Sequence, residues 1–283
     1  MADSRIVTNG GSAIGEAIGH YMEIVVQQYI EDFLEEYPCH VLRETGYNPI
    51  TRKNSKKLLL YDSFGNDYNI DGIITNESMQ PLVLLESKYI RYKKHNRDKG
   101  SWICNAHSAI RKRYPSIRAS VAVLAGSWSK TSLLMIQSYD VNYFLIPFEF
   151  ISELLREKDI DFNWGEKEYS KALLAWRKYE QLSEDEKMDI ATKMVDSIKD
   201  NLFETLRTVL DDSIPREISK VIIEIKTSKG ETMRISFDSS EEAIEYLESL
   251  QLNDIFNESS FISIFEPPIE EPENELSLFD ETI

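Results

Sequence analysis

The residues of this chain that could do chemistry together are an aspartate, a glutamate and a lysine in two neighbouring apolar runs. The first reads Asn69-Ile70-Asp71-Gly72-Ile73-Ile74 and the second Leu82-Val83-Leu84-Leu85-Glu86-Ser87-Lys88. Both are rich in Ile, Val and Leu as strands are, and the intervening Asn76-Glu77-Ser78-Met79-Gln80-Pro81 has the composition of a turn. Strand side chains alternate, so Glu86 and Lys88 share one face with Leu82 and Leu84 behind them, while Val83, Leu85 and Ser87 take the other. That is the pattern of a strand covered on both sides. An apolar strand ending in Glu-x-Lys sets a carboxylate and an ammonium at the rim of a core. Charges there cost desolvation free energy unless something compensates them, and a divalent cation compensates carboxylates. If Asp71 stands level with Glu86 on the next strand, two carboxylates converge beside a lysine. Hard oxygen ligands of this kind suit Mg²⁺, which keeps several waters and accepts phosphate oxygens.

The elements that must hold these residues are legible as periodicities. Apolar residues from Ile14 to Leu34 recur at three- and four-residue steps, which predicts an amphipathic helix over 13–36, stopped near Pro38. Short strands are expected at 41–42 and 57–61, and longer ones at 68–75 and 82–90. A helix over 100–114 follows, then strands at 119–125 and 142–146 and a helix near 149–157. The order predicts an α/β or α+β core, a mixed sheet flanked by helices, occupying residues 1–160. Residues 161–252 read as an accessory region: helical over 166–210 with an acidic turn at Ser183, then a hairpin at 220–227 and 232–237, then a short helix. Ser239 and Glu242 make a capping box for that helix. Residues 253–283, acidic and with three prolines, read as a tail.

The 283 residues, 42% hydrophobic, are enough for one domain with appendages or two small ones. Two cysteines, Cys39 and Cys104, cannot make a disulfide framework, and no CxxC pair offers a zinc site. The longest apolar runs are too short to span a bilayer, and the first residues lack the pattern of a signal peptide. A cytoplasmic protein of a reducing compartment, without a membrane partner, is expected. The net charge of −17 argues at first against a polyanionic partner. Its distribution argues otherwise. From Lys88 to Arg118 ten Lys and Arg stand against one Asp, whereas Asp238 to Ile283 holds 14 acidic residues and no Lys or Arg. A basic island of this kind is compatible with a DNA-binding face or with a solvated helix.

Asp71 followed by Glu86-Ser87-Lys88 resembles the signature of the PD-(D/E)XK nuclease superfamily, whose restriction-endonuclease-like fold sets an acid at the start of the second core strand and an acid-x-lysine triplet at the end of the third. The likeness covers residues 13–150. It implies a Mg²⁺-dependent DNA endonuclease, with Mn²⁺ as a possible substitute, in restriction or phage defence. Asp71 and Glu86 would hold the metal, and Lys88 would serve the attacking water and the phosphate. The family often adds a glutamate from the preceding helix; Glu23, in Gly19-x-x-x-Glu23, matches that element, with Glu16 the alternative. The proline that usually precedes the Asp is absent, Ile70 standing there. Cleavage of both strands implies a homodimer or larger assembly. The reading that retains the fold without the activity is a nucleic-acid-binding or assembly subunit.

For phosphate contacts the basic stretch offers Arg91, Lys93, Lys94, Arg97, Arg111 and Arg113, with Arg52, Lys53, Lys56 and Lys57 next in order. Tyr89, Tyr92 and Trp102 could stack on bases or pack in the core. Gly10 to Gly15 is Gly-rich ahead of a helix but lacks the Gly-Lys-Ser/Thr of a phosphate loop, so Gly11, Gly15 and Gly19 are read as close-approach positions. His20, His40, His95 and His107 show no metal spacing and are read as structural or solvated, although His107, near the basic helix, could touch phosphate. In the tail, Glu275-Leu276-Ser277-Leu278-Phe279 resembles the short peptide with which bacterial DNA enzymes bind the sliding clamp, though Glu275 stands where Gln is usual. Binding of a protein partner, docking on the chain's own surface and plain disorder all remain open for it.

Overall fold

A computed structural model describes residues 9–43, 46–48, 53–55, 58–93 and 96–250, with backbone alone for 46–48 and 53–55. The chain divides after Ile214 into two compact units. The first opens with α1 (Gly10–Leu34), capped by Asn9, whose side-chain oxygen accepts a hydrogen bond from the Ser12 N–H at 3.1 Å. Ile14, Ile18, Met22, Val25, Val26 and Ile30 form its buried stripe, as their spacing requires. There follow β1 (Cys39–Leu42), β2 (Gly46–Asn48), β3 (Lys53–Ser55), β4 (Leu58–Tyr61), β5 (Asp67–Ile70), β6 (Gly72–Asn76) and β7 (Pro81–Ile90). Then come α2 (Asn96–Arg113), β8 (Ala119–Gly126), α3 (Lys130–Ser138), β9 (Val141–Pro147), α4 (Phe148–Arg156), α5 (Tyr169–Glu180) and α6 (Glu184–Leu210).

A five-stranded sheet in the order β1-β6-β7-β8-β9 is the frame. β1 and β7 both run antiparallel to β6 between them, while β8 lies parallel to β7 and β9 parallel to β8. Parallel neighbours need crossovers, and α2 and α3 supply them. All eight residues of β8, Ala-Ser-Val-Ala-Val-Leu-Ala-Gly, are buried, as a central strand covered on both faces must be. On one face Ile74, Val83, Leu85, Val121 and Val123 pack in one cluster with α1, α5 and α6. On the other, Leu84, Ala122 and Leu124 meet α2 through Ile103, Ala106 and Ile110. The result is the mixed α/β architecture that the element order predicts. Helices α5 and α6, grouped by their sequence with the hairpin beyond them, lie instead in the first unit, their Ala172, Tyr179, Ile190, Met194 and Leu202 buried in the same cluster as α1.

There are three local differences. The expected strand 68–75 breaks at Asp71: β5 pairs with β4 in a separate hairpin, and β6 enters the main sheet. The expected helix 166–210 divides at Ser183, where a reciprocal capping box with Glu186 starts α6 afresh. The nine-residue α3 was not expected, although Ser129 caps it by accepting from the Ser132 N–H. Gly15 and Gly19 do bring α1 close to the sheet. A Cβ at Gly15 would lie 3.0 Å from the Tyr89 ring, and one at Gly19 3.3 Å from the Tyr89 Cβ.

The second unit holds β10 (Val221–Lys226), β11 (Thr232–Phe237) and α7 (Ser240–Ser249). The strands form an antiparallel hairpin with Val221 opposite Phe237, reversed through Gly230 at φ 93°. Val221, Ile223, Ile225, Met233, Ile235 and Phe237 alternate to the half-buried side, and Ser239 caps α7 through the Glu242 N–H. Residues 253–283 lie outside the described residues. Among the described residues no helix is long and apolar enough to cross a membrane.

Candidate active site

The antiparallel register of β6 and β7 sets Gly72 opposite Leu85, which brings Asp71 level with Glu86 at the point where the chain leaves β5. The break in the predicted strand is part of this arrangement. The Asp71 N–H, freed from a ladder, points at Glu86 Oε2 at 3.4 Å, and the Ser87 N–H donates to Asp71 Oδ2 at 2.9 Å. Lys88 Nζ lies 2.8 Å from Asp71 Oδ2 and also contacts Glu86 Oε1. The three residues singled out by their sequence pattern therefore form one closed ionic cluster.

The cluster is graded in exposure. The Glu86 side chain has 0% of its surface accessible, against 22% for Asp71 and 26% for Lys88. Burial pushes the Glu86 carboxyl up to about 8, outweighing the pull of the Lys88 ammonium. Its two carboxylate neighbours drive Lys88 upward in spite of its own burial, so the ammonium stays charged. On α2, Trp102 lies with its ring centroid 5.9 Å from that ammonium and its surface partly open to solvent.

Glu23 comes from the opposite side, on α1. Burial first, and the negative charge of Asp71 second, hold its carboxyl above the usual range. With Asp71, Ser87, Gln27 and Arg43 it lines a cavity of 30 Å³, and it also lines a 760 Å³ cleft that follows α1 past Gly15, Tyr89 and Lys99. Glu16 lines the larger cleft only. Of the two helix glutamates, Glu23 is the one brought beside Asp71. Sequence reasoning missed Gln27 and Arg43, yet Gln27 sits one helical turn beyond Glu23, so an i, i+4 reading from Glu23 finds it. Gln27 Oε1 is buried without a hydrogen-bond partner.

Among the described residues no group of three or more His, Cys, Asp or Glu side chains gathers so as to hold a metal ion. Two carboxylates converge instead, with Glu23 behind them. Hard carboxylate oxygens in this number fit one Mg²⁺, which is commonly held by one or two carboxylates and completes its shell with water and phosphate.

The six basic residues do not form one patch. Arg91 is a correction to the phosphate-binding set: it is buried, and its Nη2 donates to the carbonyls of Phe162 at 2.7 Å and Trp164 at 3.0 Å. Four rings surround the guanidinium, so it belongs to the fold. Arg111 and Arg113 donate to the carbonyls of Asp140 and Asp62, anchoring the end of α2. Lys93 and Arg97 are exposed at its start, and Lys94 and His95 lie outside the described residues, as do Arg52, Lys56 and Lys57 and the side chain of Lys53. Because α2 rises ~1.5 Å per residue, Arg97 and Arg111 stand roughly 21 Å apart. His107 is another correction. It is buried, with both ring nitrogens unpartnered, and cannot meet a phosphate. Burial, aided by Arg111 and Lys88, pushes its pKa down to about 3. Tyr89 packs beneath α1, while Trp102 keeps the exposure that stacking requires.

No family model matches the chain, and no curated protein matches it. A solved structure titled "Protein of Unknown Function AF1548" is similar over 65% of this chain and 98% of its own, at 12% identity and a TM-score of 0.30. That likeness is too low to bear on fold or function.

Proposed function

We propose that the chain is a metal-dependent DNA endonuclease of the PD-(D/E)XK type, with restriction or phage defence as its setting. The supporting observation is the pairing of Asp71 with Glu86 across adjacent strands with Lys88 against both. Ser87 contributes through its main chain, fixing one Asp71 oxygen by its N–H and leaving the other free. Asp71 and Glu86 would hold Mg²⁺, which when bound lowers the pKa of a water and offsets phosphate charge. Lys88 keeps its proton at Nζ and sets positive charge where the phosphate's negative charge grows. Glu23 orients a water from the α1 side. Lys93 and Arg97 hold the backbone of the DNA near the start of α2. Cleavage of both strands takes two copies of the site, hence a homodimer or larger assembly.

Plasmid DNA incubated with the protein should be nicked or linearised in Mg²⁺ and left intact in EDTA. An absence of metal-dependent cleavage by folded protein would sink the reading. The second reading, a nucleic-acid-binding subunit without catalysis, has its own observation: the Lys88 ammonium already neutralises the carboxylates that a metal would need. Retained DNA binding without cleavage, with and without Mg²⁺, distinguishes it.

A further inference from the structure

The hairpin β4–β5 stands apart from the main sheet and reverses through Asp62-Ser63-Phe64-Gly65-Asn66. Its tip is fixed from two sides. The buried Asp62 carboxylate accepts from the Phe64 N–H at 2.8 Å, the Asn66 N–H at 2.9 Å, the Asn66 side-chain amide at 2.8 Å and the Tyr68 hydroxyl at 3.4 Å. The Asp62 carbonyl accepts from Arg113 Nη1 at 2.8 Å, and Gly65 at φ 89° allows the reversal. On this rigid tip Phe64 is 93% exposed, the highest value for any large hydrophobic side chain among the described residues. A phenyl ring presented in that way forgoes all the burial that a core position would give it.

We propose that Phe64 stacks on a base of the nucleic acid bound by this chain, an inference that rests on the nuclease reading above. An aromatic ring with both faces open accepts any base, since every base has a π-face. The charge beside it suits the same partner. Arg113 is clamped to the Asp62 carbonyl of the turn and Lys112, one residue before it, is exposed, so the end of α2 that holds the turn carries positive charge. Two acids are near in sequence. The Asp62 carboxylate is turned inward and consumed by its four hydrogen bonds, and Asp67 lies exposed at the start of β5. Four residues, Asp67 to Ile70, separate Asn66 from Asp71, so those two lie at most ~16 Å apart, about five nucleotides of a strand held at Asp71 and Glu86, and Phe64 is two residues further round the turn. The stacking contact also gives the far end of α2 a role distinct from that of Lys93 and Arg97.

The test uses the full chain in EDTA, so that cleavage is suppressed, with fluorescein-labelled oligonucleotides in single-stranded and duplex form as probes. Phe64→Ala should weaken binding of at least one form about tenfold, and Phe64→Tyr should restore it. The slope of log affinity against log salt should stay that of the wild type, because the ring neutralises no phosphate. The Phe64→Trp variant should lose more fluorescence on binding than the wild type does. Wild-type protein that binds neither form overturns the nuclease reading and this inference with it. Wild-type binding that is unchanged in Phe64→Ala, or a weakening accompanied by a flatter salt slope, overturns the stacking contact alone. A protein that pulls down only with Phe64 intact, while oligonucleotide affinity does not change, overturns it as well.

Discussion

Lys88 and Arg91 stand three residues apart around the end of β7, in one basic stretch of sequence, and both are largely withdrawn from water. Their surroundings differ in kind. Lys88 faces two carboxylates, groups that can exchange one cation for another. Arg91 faces neutral partners: the rings of Tyr92, Phe148, Phe162 and Trp164, with centroids 3.9 to 5.3 Å from its guanidinium carbon, and two main-chain carbonyls. A planar, weakly hydrated guanidinium tolerates such a cage where an ammonium would not. Rings and carbonyls offer nothing to trade with a ligand. The same charge is therefore exchangeable at one position and architectural at the other, and only the partners tell them apart.

The largest expected effect probes the architectural side. Arg91→Met should lower the unfolding free energy by about 3 kcal/mol, because the Phe162 and Trp164 carbonyls are left without their donor and four rings without their cation. Arg91→Lys should recover less than half of that, lacking the flat face that the rings cover and the weak hydration of a guanidinium. Urea titration reads both, and a decrease below about 1 kcal/mol for Arg91→Met would dissolve the contrast with Lys88. On the exchangeable side, Glu86→Gln or Asp71→Ala should cut Mg²⁺-dependent cleavage at least about a hundredfold while DNA affinity in EDTA is kept. Lys88→Ala should match that decrease with metal affinity retained. Parallel loss of binding and cleavage in a folded variant argues against metal-holding roles.

His107 sharpens the comparison, because Lys88 and Arg111 both repel its charged form and burial penalises it. An unfolded histidine titrates near ~6.5 whereas the folded one is pushed down to about 3, so the native state binds fewer protons between those limits. Stability is then full above about pH 6.5 and falls toward pH 3, by up to about 1.4 kcal/mol per pH unit. In His107→Leu that share of the slope should vanish, so unfolding curves of variant and wild type should differ in their pH dependence between those limits. Parallel curves would refute it. The smallest effect is that of the surface charges. Neutralising Lys93, Lys94 and Arg97 together should weaken DNA binding and reduce the salt slope, by about one for each phosphate no longer neutralised. Replacing Arg111 should change the slope less, since its guanidinium is engaged with a main-chain carbonyl. An unchanged slope in the triple variant would place the DNA elsewhere.

Much of the first unit was legible because its signals are local. The stripe on α1, the apolar run of β7 ending in Glu86-Ser87-Lys88, and the eight buried residues of β8 all follow from residue type and period. The break at Asp71 was not legible, for it depends on a hydrogen bond to Glu86 fifteen residues away. The membership of α5 and α6 was missed for a similar reason: composition changes after residue 160, but burial against α1 does not. Gln27 and Arg43 escaped because single polar residues at a helix face and a strand end are indistinguishable from solvated ones until a cavity closes over them.

The sequence by itself determined the mixed α/β class, the strand that ends in Glu-x-Lys and the residues able to form an ionic cluster, since side-chain alternation and burial are properties of short segments. Tertiary structure decided what each charge does. It set Asp71 level with Glu86 through the register of β6 on β7, caged Arg91 with rings drawn from α4 and the loop after it, buried His107 without a partner, and left Phe64 bare on a fixed turn. The reason is that a charge or a ring takes its meaning from its partners and its dielectric surroundings, and those come from segments that are distant in the chain.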